Sequence, residues 1–361
     1  MTDPINLQPR ENPSLKGHDA AERVLFESAK SGRLAHAWIL AGPRGIGKAT
    51  LAFRFARHLL VGGDTASAGL FGDAPETLVV DVDHPVFHRV ASRGHSDLYT
   101  IERTASPTTK NLRAEIAVDD VRSATDFLRL TPGEGAWRVI VVDAADEMNR
   151  AAANAILKML EEPPKQTVFL IVSHAPGRLL PTIRSRCRML QLKPLERQTV
   201  VSLLAEYRPD LSEDERITLS GLCDGSVGEA IALADAGGLA LYQEMVQLLG
   251  SLTTLDIATL HALGDRFARA GNGAAFETFA RMLTDWLSRL VRNTACGVAA
   301  EEIVPGEVRA AAVFGGEPRL AQTLAVWEKV SRLLAQAQGA NLDKKQVVVS
   351  AFLSLQATVQ N

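Results

Sequence analysis

Five short apolar runs punctuate the first half of the chain, at residues 36–41, 97–101, 138–142, 167–172 and 187–192. None alternates strictly between apolar and polar positions, which predicts strands covered on both faces, as in a parallel sheet. Between the runs the period becomes helical. Residues 48–60 form an alanine-rich helix. Residues 119–130 place Val121, Ala124 and Leu128 on one face behind Asp119 and Asp120, and Pro132-Gly133 stop the pattern. Residues 149–160 form a third helix, closed by Glu161-Glu162-Pro163-Pro164. Residues 61–96 are rich in Gly, Asp, Ala and Pro and read as a long irregular excursion. Strands separated by helices predict an α/β fold with a parallel sheet.

After about residue 193 the strand signal ends. Residues 198–207, 212–222 and 226–236 read as three short helices around Gly221 and Gly225. From about residue 250 the pattern is helical throughout. Phe276, Phe279, Leu283, Trp286, Leu287 and Leu290 share one helical face. Leu320, Leu324, Trp327 and Leu334 form a second stripe, and Leu342, Phe352 and Leu355 belong to a last helix. Such stripes read as packing. The division predicted is a core domain at 1–193, a small helical lid at 194–248 and an all-α domain at 249–361, in keeping with a length of 361 residues.

Composition narrows the function classes. A net charge of −3 without a long basic block argues against tight, sequence-independent DNA binding by this chain alone. Cys187, Cys223 and Cys296 are far apart, so neither a disulfide framework nor a zinc site is expected. No apolar run reaches the length of a membrane span. The start, Met1-Thr2-Asp3-Pro4, lacks a basic flank and an apolar stretch, so the expected location is cytoplasmic. His84, His88 and His95 invite a metal reading, but Pro85 after His84 argues for a turn, and the three read as surface or turn histidines.

The strongest motif is Gly42-Pro43-Arg44-Gly45-Ile46-Gly47-Lys48-Ala49-Thr50, between a predicted strand and a predicted helix. Glycines there let backbone N–H groups turn inward around phosphate, the helix N-terminus adds positive potential, and the lysine reaches the terminal phosphates. The full pattern asks for Ser or Thr directly after the lysine, to hold Mg²⁺. That position is Ala49, and Thr50 is rotated from it by roughly 100° around the helix. The loop reads as a phosphate cradle by descent, and whether it still holds ATP and Mg²⁺ is left open.

The strand at 138–142 leads into Asp143-Ala144-Ala145-Asp146-Glu147. A carboxylate at that strand end is where a P-loop ATPase faces its metal, so Asp143 is the candidate for residual Mg²⁺ binding or for polar support of the loop. The glutamate that would polarise the attacking water is replaced by Ala144. Asp146 and Glu147 read as a solvated helix start. Ser185-Arg186-Cys187 opens the last strand. A guanidinium there, one strand after 167–172 in an α/β NTPase, reads as an arginine finger for a neighbouring subunit's phosphoryl transfer. Ser173 occupies a strand end where a polar side chain touches a γ-phosphate or simply caps a turn. Gly225-Ser226-Val227-Gly228-Glu229-Ala230 is like a sensor helix that has lost its arginine.

Taken together these residues resemble the AAA+ clamp-loader family of bacterial DNA polymerase III, and within it the delta-prime subunits. The resemblance is carried by 32–37 (Gly-Arg-Leu-Ala-His-Ala), by 142–149, by 154–164 with its Leu160-Glu161-Glu162-Pro163-Pro164 run, by Ser185-Arg186-Cys187 and, near the end, by Asn341-Leu342-Asp343. It implies a P-loop AAA+ sheet domain, a helical lid and an all-α oligomerisation collar. It also implies a place in a hetero-pentamer with gamma/tau and delta subunits, which sets a sliding clamp on primed DNA. Arg186 would act in trans while the chain's own ATP hydrolysis is weak or absent, and polymerase activity would belong to the larger holoenzyme. An active gamma/tau-like motor is the alternative; Ala49 and Ala144 argue against it. Many members carry a four-cysteine zinc module after the P-loop helix. Residues 61–96 contain no cysteine, so zinc is not carried over.

Overall fold

A computed structural model of the chain describes residues 8–62, 77–105, 112–133, 137–269, 273–339 and 342–360. It divides into two compact units, Met1–Asp210 with Asp224–Gly228, and Leu211–Cys223 with Glu229–Asn361. Asn341 and much of the stretch after the P-loop helix, residues 63–76, lie outside the described residues.

The first unit carries the parallel α/β sheet. In chain order it runs α1 (Asp19–Lys30), β1 (Ala37–Ala41), α2 (Lys48–Val61), α3 (Pro85–Ala91), β2 (Leu98–Glu102), α4 (Val118–Arg129), β3 (Arg138–Asp143), α5 (Arg150–Glu161), β4 (Thr167–Ser173), α6 (Pro181–Arg184), β5 (Arg188–Gln191) and α7 (Arg197–Tyr207). The strands form one sheet in the order β2-β3-β4-β1-β5, and every pairing is parallel. Trp38, Leu40, Val139, Val141, Val168 and Leu170 face one core with α1 and α2. Ala37, Ile39, Ile140, Phe169 and Ile171 face the other with α4 and α5. Burial on both faces is why these strands show no alternation.

Two local readings are corrected and one helix is added. The edge strand β5 is largely exposed, so its apolar residues do not mark a strand covered on both faces. Residues 61–96 are not irregular throughout, because Pro85–Ala91 is a helix. Its cap is His84, whose Nδ1 accepts from the Val86 amide at 3.1 Å. Proline suits the first helical position, where its missing N–H has no helical partner anyway. Helix α1 had no counterpart in the sequence reading.

The second unit is helical, with α8 (Glu213–Leu222), most of α9 (Val227–Asp235), α10 (Gly238–Gly250), α11 (Ile257–Ala268), α12 (Gly273–Ala295), α13 (Glu307–Ala312), α14 (Leu320–Gly339) and α15 (Lys344–Gln360). The rings of Phe267, Phe276, Phe279 and Phe352 pack against one another in its core, Phe267 edge-on to Phe276 and Phe279 stacked on Phe352. Of the stripe predicted on α14, Leu334 is buried but Leu324 is exposed, and Val326, Val330 and Ala337 complete the buried face. Both sets satisfy a helical period, so periodicity alone does not choose the face. Buried Glu307 accepts from the Ile303 amide at 2.6 Å and from the Tyr242 hydroxyl, which in turn accepts from Arg289. A buried carboxylate satisfied in this way serves the fold. Among the described residues no single helix is long and apolar enough to cross a membrane.

Candidate functional site

The strand order puts the C-terminal ends of β1, β3 and β4 side by side, so the loop after Ala41, Asp143 and Ser173 emerge together. The Gly42 amide donates to the Ser173 carbonyl at 3.2 Å, which ties the loop's first residue to the end of β4. The loop enters α2 through Gly47 at φ 101°, a conformation that only glycine adopts without strain. His18 Nε2 donates to the Ile46 carbonyl at 2.6 Å and pins the loop from outside.

Lys48 is buried, and its ammonium donates to the Gly42 carbonyl at 2.7 Å and to the Pro43 carbonyl. Burial lowers its pKa to about 8. Arg44 is largely exposed at the loop tip. Ala49 is half-buried with its methyl against the core, and Thr50 is buried. Gly228 packs onto the loop, its amide donating to the Gly45 carbonyl at 2.9 Å. A Cβ at Gly228 would come within 2.9 Å of the Gly45 Cα. Backbone thus lies on backbone near where a sensor arginine was expected.

Asp143 ends β3 opposite Glu102 of β2. Burial, then Glu102 and Glu147, push its carboxyl up to about 6, against the opposing pull of Lys48 and Arg10. Ala144 beside it is buried and carries no carboxylate. Asp146 and Glu147 are not a solvated helix start. Asp146 accepts from Ser173 Oγ at 2.7 Å and from the His174 amide, and Glu147 pairs with Arg103 at 2.7 Å. Both carboxylates therefore brace the site and are already occupied. His174 is a residue the sequence reading missed. Among the described residues its buried Nδ1 has no hydrogen-bond partner, and burial, with Lys48 and Arg44 nearby, pushes its pKa down to about 4. Only the pairing of β4 with β1 brings it to the loop.

The chain before α1 is laced onto this unit. Buried Arg57 donates to the Arg10 and Asn12 carbonyls, each at 2.9 Å, and Arg54 donates to the Pro13 carbonyl at 2.7 Å. Arg10 in turn reaches Glu102 at 2.8 Å.

Arg186 lies elsewhere. Arg188 is in register with Trp38, so Arg186 precedes the start of β1, whereas the P-loop follows its end at Ala41. The intervening strand length is about 16 Å. Arg186 is therefore not among the groups that surround this chain's own loop. Its side chain is 35% exposed and pairs with Glu161 at 2.8 Å. Cys187 is half-buried, and burial pushes its thiol up to about 11, which disfavours the thiolate.

The residues fit a nucleotide only in part. The turned glycines, the lysine and the α2 N-terminus suit a phosphate chain. Ala49 supplies no metal ligand, Ala144 no base and Gly228 no arginine.

Residues 17–196 match the family described as DNA polymerase III, delta subunit. The chain is 32% identical over 259 residues to the DNA polymerase III subunit delta' of Pseudomonas aeruginosa, covering 72% of each. It is 31% identical over 235 residues to the delta' subunit of Escherichia coli, covering 62% of each. It is 23% identical over 268 residues to the DNA polymerase III subunit tau of Bacillus subtilis, where it covers 70% of this chain and 43% of that protein. The chain thus spans less than half of the tau subunit's length.

Proposed function

The chain belongs to the DNA polymerase III delta-prime family, and from that premise we propose that it is a clamp-loader stator that lends Arg186 to the ATP site of an adjacent motor subunit. The observation that carries the reading is the separation of finger and cradle. Arg186 stands on the sheet edge before β1 and β5, while the P-loop follows the opposite end of β1. A guanidinium so placed serves a neighbour's phosphates, where its fixed charge and planar fork stabilise the charge that develops in phosphoryl transfer.

The chain's own site supports a binding role. Residues Gly42 to Lys48 would hold the phosphates of ATP, and Asp143 would be the one carboxylate facing a Mg²⁺ ion. That ion would neutralise phosphate charge, as metals do in such sites. No residue in the described site would activate a water. Ser173 and Asp146 hold each other and steady the end of β4. The partners on this reading are gamma/tau and delta subunits in a hetero-pentamer, with the sliding clamp and primed DNA engaged through the assembly. Residues 249–361 would be the oligomerising segment.

The test is ATP turnover by the purified chain, alone and after assembly with motor and delta subunits from the same source. The reading expects no turnover alone and clamp-loading turnover in the assembly. Turnover by the isolated chain that is abolished by Lys48→Ala would overturn it in favour of a motor subunit.

A further inference from the structure

The Leu160-Glu161-Glu162-Pro163-Pro164 run does no work in the reading above beyond ending α5. Yet α5 ends in an electrostatically poor way. Glu161 is its last residue and Glu162 its C-cap, so two carboxylates sit at the negative end of the helix dipole. Pro163 fixes this ending, because the residue before a proline is turned out of the helical conformation, as Glu162 is at φ −127° and ψ 66°. Lys158 in the last turn is one cation for this terminus, and Arg186, paired with Glu161, adds a second.

Packing brings the two together. Leu160 and Ile183 are buried in the same core cluster, 2% and 1% exposed. Glu161 follows Leu160 directly, and Arg186 follows Ile183 across the end of α6. The buried pair thus sets the distance between the exposed pair. Arg186 Nη2 donates to Glu161 Oε1 at 2.8 Å, and Nη1 donates to the Thr182 carbonyl at 3.0 Å. A guanidinium has five N–H groups, so these anchors leave others free for a phosphate.

We propose that Glu161 is a positioning residue for the arginine finger, holding the Arg186 guanidinium from one side while its remaining N–H groups face the neighbouring subunit. The proposal rests on the trans role of Arg186 given above. The half-exposed pair adds little to folding stability, as exposed ion pairs generally do. Its effect falls on geometry, where a small misplacement of a catalytic group slows the reaction steeply.

The experiment measures ATP turnover of the loader assembled with wild-type, Glu161→Gln, Glu161→Asp, Arg186→Ala or Glu161→Gln/Arg186→Ala chains. The part of turnover that Arg186→Ala removes is the quantity followed. Glu161→Gln is expected to cut that part about tenfold in kcat, with KM, assembly and thermal stability unchanged. Glu161→Asp should restore some of it, and Glu161→Gln should add nothing to Arg186→Ala, since residues that act as one unit are not additive. If Arg186→Ala itself has no effect, the trans reading falls and the proposal with it. If Arg186→Ala is impaired while Glu161→Gln matches wild type, the proposal alone falls. A gain of turnover in Glu161→Gln would also overturn it, because Glu161 would then be restraining the finger.

Discussion

Replacing Asp143 by asparagine should stabilise the first unit at neutral pH and leave it unchanged in acid. The carboxyl is pushed up from 3.8 to about 6 by burial and by Glu102 and Glu147. The nearest cations bring little relief, because Lys48 is held by the Gly42 and Pro43 carbonyls and Arg10 by Glu102. The folded state therefore binds the proton more tightly than the unfolded chain does. Above about pH 6 the carboxylate is charged in both states, and only the folded state bears the cost of burying it. As pH falls through about 6 the folded state takes up the proton, and below 3.8 both states are protonated and the cost is gone. Two pKa units correspond to a ceiling of about 3 kcal/mol, and partial exposure of Asp143 brings the expected value to about 2 kcal/mol. For a unit of this size that is about 4–8 °C in Tm. Thermal unfolding of wild type and Asp143→Asn at pH 7.5 and pH 4 measures it directly, with the variant cancelling the acid sensitivity of all other carboxylates. Equal Tm at pH 7.5, or a less stable variant, would refute the reasoning and mean that the charged carboxylate is paired in the folded chain.

Two further outcomes follow from close contacts in the same unit. Arg57→Met keeps the apolar stem of a side chain that is 2% exposed but strands the Arg10 and Asn12 carbonyls; it should cost about 2–3 kcal/mol in urea unfolding and speed protease cleavage before α1. Gly228→Ala drives a Cβ to 2.9 Å from the Gly45 backbone, so it should destabilise the P-loop by about 1–3 kcal/mol and weaken any ATP-dependent rise in Tm; an unchanged Tm would show that the loop yields freely.

What the sequence made legible were features encoded locally. Strands β1, β3 and β4 are buried apolar runs, and α2, α4 and α5 announced themselves by period and by their stops. The P-loop and the two alanine replacements could be read because each is a single position within a spaced motif. What escaped depends on pairing across the sheet. Asp146 looked like a solvent-facing turn residue, because nothing in its neighbourhood announces that Ser173 and His174 will reach it from β4. His174 itself carried no signal, being one residue beyond a strand whose neighbour in space is β1. Helix α3 was hidden by a rule applied too broadly, since proline stops a helix from within but starts one well. On α14 the period allows more than one face, and only packing joined Val326 and Val330 to Leu334 and left Leu324 exposed. The Glu161–Arg186 pair joins a helix end to a strand start 25 residues later, a contact that tertiary packing alone creates.

The most direct test of the account is ATP turnover by the fully assembled loader carrying Arg186→Ala or Arg186→Lys in this chain. The account predicts intact assembly and a loss of roughly a thousandfold at the one motor site that faces Arg186, seen in the whole loader as the loss of that site's share. Lysine should not rescue it, because a point charge lacks the planar fork. Wild-type turnover from a loader carrying Arg186→Ala would contradict the central claim.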